Sequence, residues 1–197
     1  MITRRQASVS EITDPEKHGP LSRRSWLEAG LHHLTFKGIR ALRLRPLAAS
    51  LSISTGSFYH HFNSFDEYLG QLARFYCDEH LMANLSVVTR EARTPRQKIE
   101  RLVAMAHHQG LDRMGLAMRA WGRSDPRAQQ AVAALDKTLL DYLTTCFEDM
   151  GFEPLAAQAR AVLLLSVGTT DMIHSLAGHL APDLIEPVID TLCQAQS

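Results

Sequence analysis

Between Leu44 and Phe62 the chain carries two short apolar stripes, separated by a break that allows only a tight turn. In the first, Leu44, Leu47, Ala48 and Leu51 fall at i, i+3, i+4 and i+7, one face of a two-turn helix. In the second, Phe58 and Phe62 stand four apart, with Ile53 in the turn placed to pack beneath them. Pro46 lies in the first turn of the first helix, where a missing N–H does no harm, and Ser54 is positioned to cap the second. Ala48 is small where the two helices must approach. Leu47, Leu51, Ile53 and Phe58 then form the wedge that fixes their angle.

The remainder reads with the same helical period. Ser22 precedes a run through Trp26, Leu27, Leu31, Leu34 and Phe36 that stops at Gly38. Ser64 caps a longer helix opening with Phe65, Asp66 and Glu67, acids well placed for the helix dipole. Further helices are expected from Thr94-Pro95, over Leu111–Trp121, from Ser124-Asp125-Pro126 to near Met150-Gly151, from Pro154 to about Leu180, and from Pro182 onward. No alternating strand pattern and no repeat occurs. The expected fold is all-α, with a flexible arm over residues 1–20, a three-helix unit over 21–66 and a helical C-terminal domain over 67–197.

The formal net charge is zero, but its distribution is uneven. Met1–Phe62 holds nine Lys or Arg against four Asp or Glu, whereas the rest holds twelve against seventeen. A basic front and an acidic back imply different partners for the two segments. No apolar stretch approaches the roughly 20 residues that span a bilayer, and Met1–Pro20 lacks the apolar middle of a secretory signal. A cytoplasmic protein without membrane contact is expected. Cys77, Cys146 and Cys193 are widely spaced, match no metal or redox pattern, and read as free buried thiols.

The outward face of the second short helix carries Thr55, Ser57, Tyr59, His60 and His61. These hydroxyls, rings and imidazoles can reach base edges or phosphates, and Gly56 lets the backbone come close to a duplex. Arg43 and Arg45, at the start of the first short helix, are placed for the flanking phosphates. Together these features describe a helix-turn-helix that lies in a groove of double-stranded DNA.

The segment Gly38–Ala48 followed by Leu51–Phe62, with its core Gly56-Ser57-Phe58-Tyr59-His60-His61-Phe62, resembles the DNA-binding domain of the TetR family of transcriptional regulators. The likeness covers roughly Ser22 to Leu69. It implies that Tyr59 and His61 grip phosphates, and that Thr55 and Ser57 meet bases or phosphates. Three residues depart from the family pattern. Arg43 stands where a Ser or Thr cap is usual, at a cost of about 1 kcal/mol. Ser52 replaces the common Gly of the turn, which strains the backbone if its φ is positive. Phe65 replaces a Lys that often contacts phosphate.

The resemblance further implies a homodimer paired through the last two helices (Glu153–Leu180 and Pro182–Gln194), a palindromic operator, and an effector pocket in the C-terminal domain. Polar or soft residues set in apolar helices are the pocket candidates: His107, His108, Met114, Met118, Trp121, Tyr142, Cys146, Met172 and His174. They would suit a small apolar or aromatic ligand. The expected action is a repressor released from DNA when that ligand tilts the helix after Ser64. Control by a protein partner, or activation instead of repression, is the alternative. A helical metal-dependent enzyme is a distant one, suggested by the pairs His32-His33, His60-His61 and His107-His108. Adjacent histidines on a helix point about 100° apart, and no His-Glu-x-x-His or phosphate-loop pattern occurs. No catalytic residue, metal or cofactor is expected.

Overall fold

The computed structural model describes residues 22–78, 83–169 and 186–194. Every regular element among them is helical: α1 (Arg23–Lys37), a 3-10 turn (Ile39–Ala41), α2 (Leu44–Ser50), α3 (Thr55–Phe58), α4 (Phe65–Cys77), α5 (Ala83–Glu91), α6 (Pro95–His108), α7 (Leu111–Gly122), α8 (Pro126–Glu148) and α9 (Pro154–Thr169). Residues 186–193 are helical again. The N-terminal arm, Met172 and His174 lie outside the described residues, as do the expected end near Leu180 and the start at Pro182.

Helix starts follow local chemistry. The side chains of Ser22, Ser64, Thr94 and Asp125 each accept a backbone N–H of the first turn, at α1, α4, α6 and α8 respectively, satisfying donors that the helix itself cannot. Gly38 ends α1 with φ 75° while its N–H reaches Leu34 O at 3.1 Å. Two expected features are modified. Ser54 occupies the N-cap of α3, but its hydroxyl makes no capping bond. The α-helical part of α3 is also one turn long. Tighter bonds then carry the winding on (Tyr59 N–H to Gly56 O at 3.2 Å, His61 N–H to Phe58 O at 2.9 Å) until Phe62.

One apolar cluster runs from α1 through α2, α3 and α4 into α7 and α8. It contains Trp26, Leu31, Leu34, Leu47, Ala48, Phe58, Phe62, Tyr68, Leu72, Met118, Trp121 and Ala128. The three-helix unit is therefore seated on α7 and α8 through shared core, and each large buried side chain contributes about 1.5–3 kcal/mol. A second cluster, including Ile99, Leu143, Cys146, Phe147, Ala157, Ala161 and Ile189, joins α6, α8, α9 and residues 186–193. α8 takes part in both. Among the cysteines, Cys146 is buried while Cys77 and Cys193 are only half-buried, so the expectation of three buried thiols holds for one. Burial pushes the Cys146 thiol up to about 11, which keeps it protonated and unreactive. No helix among the described residues is long and apolar enough to cross a membrane.

Candidate nucleic-acid interface

The wedge expected between the two short helices is present. Leu47, Ala48 and Phe58 are buried, with Leu51 and Ile53 packed against them. Phe58 is the hub. Its ring meets Trp26 edge-on at 5.2 Å, stacks near Phe62 at 5.0 Å, and approaches Tyr68 at 5.4 Å and Phe65 at 6.0 Å. Phe65 thus packs as an aromatic wall beneath α3, a use of the position that a Lys could not fill. The turn between α2 and α3 is held by Ile53 N–H to Ala48 O at 3.0 Å, with Ser52 at φ 57°. The positive φ suspected at Ser52 is real. Arg43 sits at the N-cap of α2 in an extended conformation without a side-chain capping bond.

With Phe58 and Phe62 turned inward, the rest of the segment is exposed or half-buried. Tyr59 is 59% exposed. His60, Gly56, Arg43 and Arg45 are exposed, while Thr55, Ser57 and His61 are half-buried. Neither Arg43 nor Arg45 forms an ion pair with any described residue, and both stand exposed at the start of α2. Arg40, in the 3-10 turn, is exposed as well and extends this basic stretch.

Sequence pattern missed the group that fixes the far end of α3. Arg23 on α1 donates to the His61 carbonyl from Nε at 3.1 Å and from Nη2 at 2.7 Å. Its guanidinium also lies 5.0 Å from the Phe62 ring centre and 3.3 Å from Glu67 Oε1. Glu67 Oε2 accepts from the Asn63 backbone N–H at 2.9 Å and from its side-chain amide at 2.7 Å. Those two bonds hold the Glu67 carboxyl below its usual range, with Arg23 and Gln71 adding to the effect. A partner 38 residues away is invisible to periodicity; only the Ser64-x-x-Glu67 spacing hinted that this turn is tied down.

The described pocket candidates fall in different parts of the structure. Met118 and Trp121 are buried in the first cluster with Met114 at its edge, whereas Cys146 is buried in the second with Tyr142 at its edge. His107 and His108 are exposed, His107 Nδ1 lying 3.7 Å from Asp112 Oδ2. Among the described residues, no group of three or more His, Cys, Asp or Glu is placed to hold a metal ion.

No protein-family model matches the chain, and no curated protein matches it. Solved structures do. A TetR transcriptional regulator from Legionella pneumophila superposes with a TM-score of 0.70 at 16% identity, covering 85% of this chain and 92% of that one. The chain has the TetR-family fold. A transcriptional regulator from Rhodococcus sp. Rha1 gives the same TM-score at 22% identity, over 87% of this chain and 94% of that one. The multidrug binding protein EbrR, solved with imidazole, matches with a TM-score of 0.57 at 17% identity, over 89% and 96%. At these identities the shared property is the TetR-family fold itself, and residue roles rest on this chain's own geometry.

Proposed function

We propose that this TetR-fold chain is a DNA-binding transcriptional regulator of the cytoplasm, with residues 21–66 as its reading unit. One observation carries the reading. A buried aromatic wedge holds α3 with Tyr59, His60 and Gly56 exposed and Thr55 and Ser57 half-buried, while Arg43 and Arg45 stand exposed at the start of the preceding α2, without an ion pair to any described residue. A packing hairpin needs no such face, whereas a groove reader needs both its polar groups and its flanking cations.

The regulator acts as a homodimer on a palindromic operator. Support comes from the outer face of α9, where Leu155 is 80% exposed and Leu163 57%, with Val162 exposed beside it. An apolar groove of about 330 Å³ continues that face between α9 and residues 186–193, lined by Leu163, Val167, Pro187, Val188, Thr191 and Leu192. Apolar area of this kind is costly to leave in water and suits a self-complementary interface. The effector is a small apolar or aromatic molecule held within the C-terminal helices, and the repressor lets go of its operator when the ligand favours a different separation of the two reading units. The fold neighbour EbrR is a multidrug binding protein, solved with imidazole.

Selection of bound duplexes from a random pool, followed by affinity measurements against salt, tests the core of the proposal. A palindromic consensus with strongly salt-dependent binding is the expected result; failure to enrich any duplex at low ionic strength overturns it.

A further inference from the structure

Arg127 does more than cap its own helix. Asp125, at the N-cap of α8, takes three bonds from it: the backbone N–H at 2.9 Å, Nε at 3.0 Å and Nη2 at 2.8 Å. Arg127 is the main reason that the Asp125 carboxyl stays below its usual range, and the Trp121 indole contributes a further bond. The guanidinium fork is thereby fixed before it meets any distant partner. Its remaining amino group, Nη1, then crosses to α4, donating to Asp66 Oδ1 at 2.6 Å and to the Asp66 carbonyl at 2.9 Å. The aliphatic part of Arg127 lies against α4 at Gly70, where a Cβ would meet its Cδ at 3.8 Å.

What makes this bond consequential is where it lands. Asp66 and Glu67 are neighbours in the first turn of α4, pointing about 100° apart. Glu67 binds Asn63 and Arg23, and Arg23 binds the His61 carbonyl near the end of the α3 segment. Phe65 and Tyr68, on either side of this pair, both pack on Phe58. One helical turn therefore carries α8 on one face and the end of α3 on the other.

We propose that Arg127 is a positioning residue for the α3 face, setting its orientation through the first turn of α4 from a base fixed to the α7–α8 corner. This rests on the reading of α3 as the DNA-contacting helix and names the side chain by which the C-terminal helices govern it. The Asp66 carboxylate is 84% exposed, so its charge alone is worth little. The bond to the Asp66 carbonyl and the preset fork do most of the holding. Arg127→Ala removes both contacts, Asp66→Ala only the one to the side chain, and Arg127→Lys keeps charge without the fork.

Two measurements on the full chain test this. In hydrogen exchange without DNA, Arg127→Ala speeds exchange of the amides from Ser57 to Phe62 by about 2- to 30-fold, Asp66→Ala by less, and neither changes the amides of α9. Unchanged exchange at Ser57–Phe62, or equal acceleration in α9, overturns the proposal. In DNA binding, the preference for a selected operator over the same duplex with one base pair added between half-sites falls by a similar factor in Arg127→Ala. An undiminished preference also overturns it. Should the unaltered protein select no duplex, the DNA-reading proposal fails, while the exchange result still decides whether Arg127 holds α3. Asp66→Ala, altering only an exposed side chain, keeps the test open if Arg127→Ala folds poorly.

Discussion

Tyr68 donates its phenolic hydroxyl to the Trp26 carbonyl at 2.9 Å across the α1–α4 contact, and it can do so only because residue 30 is glycine. A Cβ at Gly30 would lie 2.0 Å from that hydroxyl oxygen and 3.0 Å from Leu72 Cδ1. The Tyr68 ring has nowhere to retreat, being packed among Phe58, Phe62 and Phe65. Gly30→Ala therefore destabilises the fold by about 1–3 kcal/mol, despite its better helix propensity. Tyr68→Phe costs about 1 kcal/mol for the lost bond. Thermal unfolding of the double variant shows less loss than the two singles combined, since removing the oxygen relieves part of the overlap.

Ser52 lies at φ 57° in the turn between α2 and α3. A side chain there costs about 1–2 kcal/mol in backbone strain, part of which glycine gives back through its freer unfolded chain. Ser52→Gly raises the urea midpoint by an amount equivalent to about 0.5–1 kcal/mol, and the β-branched Ser52→Val lowers it.

Much of this architecture is legible in sequence because its determinants are local. Caps at Ser22, Ser64, Thr94 and Asp125 sit where side-chain chemistry demands, and the Leu44–Leu51 stripe turns inward as its spacing requires. The exposed face of α3 follows by elimination once Phe58 and Phe62 are buried. What periodicity could not reveal is set by distant partners. Arg23 and Arg127 read as solvated charges in a linear chain, yet they bind His61 and Asp66, 38 and 61 residues away. The separation of Met118 and Trp121 from Cys146 likewise depends on α8 serving two clusters along its length, which a residue-by-residue judgement of polarity cannot anticipate.

His33 is a buried imidazole, 2% exposed, on α1. Burial lowers its pKa most and Lys37 next, the Ala41 backbone hydrogen bond opposes them, and His32 adds a lesser lowering. The native protein thus keeps His33 neutral at a pH where the unfolded chain, with an imidazole pKa near 6.5, already binds a proton. Protons bound only by the unfolded state favour unfolding, so this contribution is intact above pH 6.5 and is lost as pH falls below it. Melting temperatures taken between pH 8 and 5 decline on the acid side, and His33→Gln makes that decline shallower whatever its effect at pH 8.

If α9 and the helix at residues 186–193 pair two chains, a charge on the shared face will part them. Leu163 is 57% exposed and also lines the apolar groove, so Leu163→Glu places a carboxylate in the interface without touching either core cluster. Sedimentation equilibrium gives twice the 22.0 kDa chain mass for the unaltered protein and the single mass for the variant. The melting temperature of the unaltered protein rises with concentration, and that of the variant does not.

On the DNA side, the two kinds of contact separate by what they change. Arg45 is exposed, without an ion pair to any described residue, and two residues from the N-cap of α2, so its proposed task is to neutralise a phosphate. Arg45→Ala weakens binding to selected and unrelated duplexes alike, and reduces the slope of log affinity against log salt by about 0.9. Tyr59→Phe also weakens every duplex but leaves that slope unchanged, because the phenol carries no charge. Thr55 and Ser57 sit on the first turn of α3, half-buried at the edge of the face, where a hydroxyl can reach a base only in one register. Thr55→Ala and Ser57→Ala shift the order of preference among operators by roughly 10-fold at the affected base pairs, with the salt slope intact. A preference order left unaltered by both substitutions would sink the assignment of these hydroxyls as readers while leaving Arg45 and Tyr59 as phosphate contacts.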